Sequence, residues 1–151
     1  MGDYNRSTKE CTFQTMHPRL ATAIRNFCET KELGDIEQAA IVCIETTNQK
    51  IKNGLFGGAA LAQLVGAVLT PTLLVWAISE AKEGTSVIAA RLREIEVREY
   101  KSDRLPDTGL DIFGFINDAP ERVSVFIGLG SEPAAQKFSE AVRHAAAQAK
   151  I

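Results

Sequence analysis

Asn53 to Ser79 reads NGLFGGAALAQLVGAVLTPTLLVWAIS, 27 residues without a charged side chain in a protein that is 24% charged. Taken as one helix, the window could cross a membrane, because about 20 apolar residues cover the hydrocarbon core. Gly54, Gly58, Ala62 and Gly66 then fall four apart, the spacing of a small-residue helix contact. The composition argues for two pieces instead. Leu64 to Ile78 carries Val65, Val68, Thr70, Thr72, Val75 and Ile78, a β-branched density that helices disfavour. Pro71 in a helix interior would delete a hydrogen bond and cost about 3 kcal/mol or more. Thr70-Pro71-Thr72 suits a turn. The window therefore predicts a small, glycine-rich segment over Gly54–Ala62 and then a buried hairpin, roughly Gln63–Leu69 and Leu73–Ser79.

Working outward, Pro18–Leu33 predicts a helix, with Pro at a first-turn position, Leu20, Ala23, Ile24, Phe27 and Cys28 as its apolar stripe, and Gly34 as its stop. Ala39–Thr47 is β-branched and predicts a strand. Ser86–Leu92 and Ile95–Lys101 predict two more strands, although Val87 to Tyr100 contains no breaker and Ile88, Leu92 and Ile95 also fit a helical stripe. Leu110–Ile116 and Arg122–Gly128 form a hairpin about Asn117-Asp118-Ala119-Pro120. Glu132–Ala149 predicts a closing helix with Ser131 as N-cap and Phe138, Ala141, Val142, Ala145 and Ala149 as its stripe. Residues 1–17 read as a flexible lead, and 18–151 as one domain. The expected class is mainly β with helices (α+β): an N-terminal helix, a seven-stranded bent sheet curling into a half-open barrel, and a C-terminal capping helix.

Composition removes several functions. A formal charge of −2, with no strongly basic block, argues against nucleic acid as a partner. Cys11, Cys28 and Cys43 are odd in number and lack metal-site spacing, so they read as reduced thiols of a cytoplasmic protein. Gly128-Leu129-Gly130-Ser131-Glu132-Pro133 imitates a dinucleotide fingerprint, but Pro133 takes the third glycine position and no acidic residue follows about 20 residues on. The glycines read as a strand-to-helix corner. His17 and His144 have no nucleophile partner in sequence, and Glu94, Glu96 and Glu99 interleave with Arg91, Arg93 and Arg98 as a self-compensated face. No catalytic residue, metal or cofactor is expected, and the protein reads as a non-enzyme.

The stretch Gly66-Ala67-Val68-Leu69-Thr70-Pro71-Thr72-Leu73-Leu74-Val75-Trp76 resembles the second and third strands of bacterial pleckstrin-homology-like (PH-like) domains, where a Leu-Thr pair, a tight turn and a Leu-rich strand recur. The Ser86–Tyr100 double strand, the hairpin ending in Phe126 and the helix carrying Phe138 agree with it, over roughly residues 36–150. The resemblance implies a non-catalytic scaffold that binds lipid headgroups, peptides or its own copies. The basic Lys-x(n)-Lys/Arg-x-Arg pattern of phosphoinositide-binding members is not matched, since Lys50 and Lys52 are followed by Asn53-Gly54. The N-terminal helix and the glycine-rich insertion 54–62 look like additions to such a domain.

Leu55, Phe56, Gly57, Gly58 and Leu61 are therefore the candidate association surface, docking another copy, a protein partner or, peripherally, a membrane. Two rival readings stand beside this binding or assembly module. One is an integral membrane protein spanning through residues 55–78. The other is a small ligand-binding barrel or enzyme, which polar side chains converging inside the barrel would mark. Trp76 and Phe138 are expected in the core under either soluble reading.

Overall fold

The chain runs β1 (Tyr4–Cys11), α1 (Pro18–Thr30), α2 (Ile36–Ala39), β2 (Val42–Lys52), β3 (Gly58–Leu69), β4 (Leu73–Glu80), β5 (Gly84–Glu99), β6 (Gly109–Ile116), β7 (Val123–Gly128) and α3 (Pro133–Gln148). This is a computed structural model, and it describes residues 4–52, 58–80, 84–101 and 107–150. The seven strands form one open antiparallel sheet in sequence order.

The Pro71 turn works through Thr70. Its hydroxyl accepts from the N–H of Thr72 at 3.2 Å and of Leu73 at 2.9 Å, while its own N–H donates to the Leu73 carbonyl at 2.9 Å. From Leu64 to Ser79 the charge-free window is thus a hairpin, β3 against β4, and from Gly58 to Gln63 it is strand paired with β2, so it is not one helix. Among the described residues no helix is long and apolar enough to cross a membrane. Gly58–Ala62 belong to β3, which corrects their reading as an insertion outside the sheet: opposite them, Gln49 to Lys52 supply a ladder that residue composition does not show.

Three other expectations are corrected. Within the expected flexible lead 1–17, Tyr4–Cys11 is a strand that pairs with β2 over its whole length, and Thr8 Oγ1 lies 2.7 Å from Thr46 Oγ1 across the pair. The Ser86–Leu92 and Ile95–Lys101 strands are one 16-residue strand, β5. Its first limb pairs with β4 and its second with β6, the ladder to β6 shifting register between Ala90 and Ile95. The Leu92 N–H at this shift donates to Thr72 O, and Lys150 Nζ donates to the carbonyls of Leu92 and Ile95. The N-cap of α3 is Glu132 rather than Ser131, with Pro133 at the first helical position.

Helices cover both faces of the sheet. On one face α3 inserts Phe138 and Val142 against Ile44, Ala67, Leu74, Trp76, Ile112 and Ile127. Trp76 and Phe138 are both 0% exposed. On the other face α1 lays Leu20, Ile24 and Cys28 over Val68, Val75 and Ala77. Gly66 makes room there, since a Cβ on it would meet Met16 Sδ at 2.9 Å and Leu20 Cδ1 at 3.2 Å. The helix ends at Thr30, where the Leu33 N–H closes back on Cys28 O at 2.9 Å and Gly34 takes a φ of 86°.

The glycine corner has a closing role. A Cβ on Gly128 would collide with the Arg6 guanidinium, and one on Gly130 would stand 2.9 Å from Arg6 O. Gly130 N–H donates to Thr8 Oγ1 at 2.8 Å, and Thr8 N–H donates to Glu132 Oε1 at 3.1 Å. The two glycines let the exit from β7 lie against β1.

Candidate functional site

Of the association-surface candidates, Leu55, Phe56 and Gly57 lie outside the described residues, while Gly58 and Leu61 stand in β3 opposite Lys52 and Gln49. Elsewhere on the sheet two arrangements bring chemistry-bearing side chains together.

The first is a polar row on the α3 face. Gln63 Nε2 donates to Glu80 Oε1 at 3.0 Å, and Asn48 Nδ2 donates to Gln63 Oε1 at 2.7 Å. The direction is imposed by the carboxylate, which can only accept: it takes the Gln63 amide N–H₂, Gln63 is left with its oxygen for Asn48, and Asn48 Oδ1 is left over. That oxygen is buried without a partner, as is the indole Nε1 of Trp76 two rows away on the same face. Each unpaired buried polar atom costs roughly 1–3 kcal/mol. The row is a hydrogen-bonded ladder across β2, β3 and β4, and it holds neither a nucleophile nor an acid–base pair.

The second is a cleft on the α1 side, about 270 Å³ in volume, where the end of α1 meets β5 and the β6–β7 turn. Phe27, Leu33, Leu73 and Phe115 supply apolar surface, and Lys31, Arg91, Glu94 and Asp118 supply charge of both signs. Arg91 lies 3.2 Å from Asp118 and 4.0 Å from Glu94, with its side chain 47% exposed. A neighbouring space of about 390 Å³ shares Leu33, Leu73 and Arg91 and adds Glu32, Pro71 and Arg93. The turn is held against β5 by Asn117, whose N–H donates to Ala89 O at 2.9 Å and whose Oδ1 accepts from Ala89 N at 2.7 Å. Asn117 and Asp118 both have positive φ, 54° and 56°, and the Ala119 N–H closes back on Ile116 O at 3.1 Å, a primed turn at the start of the β6–β7 connection. Glu32, in the neighbouring space, has a φ of 55°.

Sequence reasoning missed the cleft because its walls come from four separate stretches of chain. It named Arg91, Glu94, Asn117 and Asp118 only as parts of a solvated face and a turn. It also passed over Glu45, 8% exposed, whose Oε1 accepts from the His17 N–H at 2.6 Å and whose other oxygen lies 3.6 Å from Lys9 Nζ. His17 caps α1, its Nδ1 accepting from Arg19 N–H at 3.2 Å, and His144 is exposed on α3. Among the described residues no group of three or more His, Cys, Asp or Glu side chains could hold a metal ion.

Electrostatics elsewhere follow from burial and local donors. Burial pushes the Cys11 thiol up to about 12 and the Cys43 thiol to about 11, and it raises Cys28 as well. The hydrogen bonds from Arg6, and one from the Thr108 N–H, hold the Asp107 carboxyl below its ordinary value against the opposing effect of burial. Burial also works against the Glu132 charge, yet hydrogen bonds from backbone N–H groups, with one from Ser7, bring that carboxyl down.

No family model matches this chain, and no curated protein or solved structure matches it significantly. The class stated by the fold is a mainly β, α+β protein whose described residues form a seven-stranded antiparallel open sheet and three helices, the last of them C-terminal.

Proposed function

We propose that this protein is a non-catalytic binding module whose α1–β5–β6 cleft takes a segment of a protein partner. The observation that carries the reading is the cleft itself, an apolar floor under Phe27, Leu33 and Phe115 with Arg91, Lys31, Glu94 and Asp118 at its rim. At about 270 Å³ it stands just below the usual ligand-pocket range of ~300–1,000 Å³. That is room for one large side chain with charged neighbours, the anchor-and-rim pattern of peptide recognition.

The PH-like assignment of residues 36–150 is part of the same proposal. Its support is the run β2 to β7, which counts as seven antiparallel limbs when β5 is divided at its register shift, followed by a helix over one face. β1 lies outside that stretch and extends the sheet beyond β2.

The test is selection from a display library of random peptides against the full chain. Enriched sequences carrying an aromatic or aliphatic residue beside a charge, with binding lost in Leu33→Asp and weakened in Arg91→Glu, support the proposal. Arg91→Glu alters a half-exposed side chain and keeps the test valid if Leu33→Asp does not fold. Failure to enrich any sequence, or binding indifferent to both changes, overturns it.

A further inference from the structure

Cys11 and Cys43 are separated by 31 residues that include α1 and α2, and the fold places them directly opposite each other at the end of the β1–β2 ladder. Both side chains face the α1 side of the sheet, Cys43 inside the cluster that holds Phe13 and Ile36, and Cys11 packed against it. The backbone shows which kind of pair they form. Thr8 N–H donates to Glu132, so Thr8 turns its amide away from β2. Successive strand residues point their N–H and C=O groups to opposite sides, so Lys9 and Cys11 present theirs to β2. Cys11 and Cys43 are thus a hydrogen-bonded pair, for which the Cα atoms stand about 5.5 Å apart. That lies within the roughly 4.4–6.8 Å span of disulfides.

We infer that Cys11 and Cys43 are a site of reversible disulfide formation, cross-linking β1 to β2 when a low-molecular-weight disulfide is present. A cleft of about 370 Å³ lined by both cysteines, with Thr12, Gln14 and Ile41, gives such an oxidant an approach to the half-buried Cys11, while Cys43 lies buried behind it. The half-buried Cys11 reacts first: its thiolate attacks one sulfur of the oxidant's disulfide, breaks that S–S bond, expels the other sulfur as a thiolate and leaves a mixed disulfide on Cys11. The Cys43 thiolate then attacks the Cys11 sulfur and releases the second thiolate. The protein loses two protons and two electrons, and the oxidant leaves as two thiols. In a hydrogen-bonded pair the side chains are farther apart than in the alternate pair, so closure strains the bond and leaves it readily reduced. High thiol pKa values make the forward reaction slow at neutral pH and faster in mild alkali.

The consequence is mechanical. The bond closes the segment that carries α1 and α2, removing loop freedom from the unfolded chain, so the urea midpoint of the oxidised form rises and falls back on reduction. The test is incubation of the full-length wild-type chain with oxidised glutathione at mildly alkaline pH, followed by intact mass and peptide mapping. Loss of two hydrogens with a Cys11–Cys43 peptide, reversed by dithiothreitol and retained in Cys28→Ser, is expected. A stable glutathione adduct on Cys11 without cross-linking, a bridge to Cys28 or to another chain, or a mass unchanged while the thiols react freely in urea, overturns the inference.

Discussion

Gly114 on β6 is the register partner of Ile95 on β5, and a Cβ on it would stand 2.8 Å from the Ile95 Cα. Its φ of 150° adds to the restriction, since L side chains rarely take that conformation. The close approach occurs where β5 changes register, and the backbone there has no flexible side chain that could move aside. Gly114→Ala should lower stability by about 1–3 kcal/mol or more, the usual cost of overpacking a tight site. Urea unfolding of the variant checks this, and a midpoint equal to wild type would contradict it.

Phe138 joins α3 to the sheet. It is fully buried beside Val142 and faces Trp76 and Ile112 within one cluster. Phe138→Ala should cost about 3–5 kcal/mol, the range for deleting a large aromatic from a core. Denaturant titration followed by tryptophan emission reads both the loss of stability and, through Trp76, whether the core stays dry.

Alkali should weaken the fold through the thiols. Cys11 and Cys43 lose their protons near 12 and 11 when folded, against 9.0 for the free group. Below pH 9 both states hold these protons and the thiols contribute no pH dependence. As pH rises past 9 the unfolded chain releases them first, so stability falls until the folded thiols also ionise. Urea midpoints measured in reductant at several pH values should decline over that window. Cys11→Ser with Cys43→Ser should flatten the decline, and an unchanged slope would remove the thiols as its cause.

Acid acts through the opposite sign at Asp107. Arg6 Nε and Nη2 donate to its two carboxylate oxygens at 2.9 and 2.8 Å, and they hold its pKa below the ordinary value. The pair's contribution is present above pH about 4 and is lost as pH falls through the depressed range. Asp107→Asn should cost of order 1 kcal/mol, because bidentate geometry and a largely buried Arg6 put this pair at the upper end for partly exposed ion pairs. The variant's stability should also vary less between pH 5 and pH 3, roughly the carboxylate range.

Much of the architecture was legible where local chemistry acts over a few residues. Pro71 with its flanking threonines and β-branched neighbours marked the β3–β4 hairpin. Leu20, Ile24 and Cys28 marked the buried face of α1, and Phe138 with Val142 that of α3. The Asn117-Asp118 turn was readable because those side chains tolerate positive φ. The cleft beside that turn was not readable, since Phe27, Leu73 and Phe115 each look like ordinary stripe or strand residues until the end of α1 is laid over β5.

Periodicity and turn chemistry are properties of neighbouring residues, so the class of fold, the two packed helices and the aromatic core can be read along the chain. That Tyr4–Cys11 is a strand, that β5 is continuous and that Cys11 meets Cys43 depends on long-range pairing. An edge strand with polar side chains on both faces, such as Arg6, Thr8 and Lys9, carries no apolar alternation of its own. Its free energy comes from a ladder with residues about 40 positions away in β2 and from the glycine corner that closes against it. A contact of that kind has no signature in either segment alone, and it exists only once both are brought together.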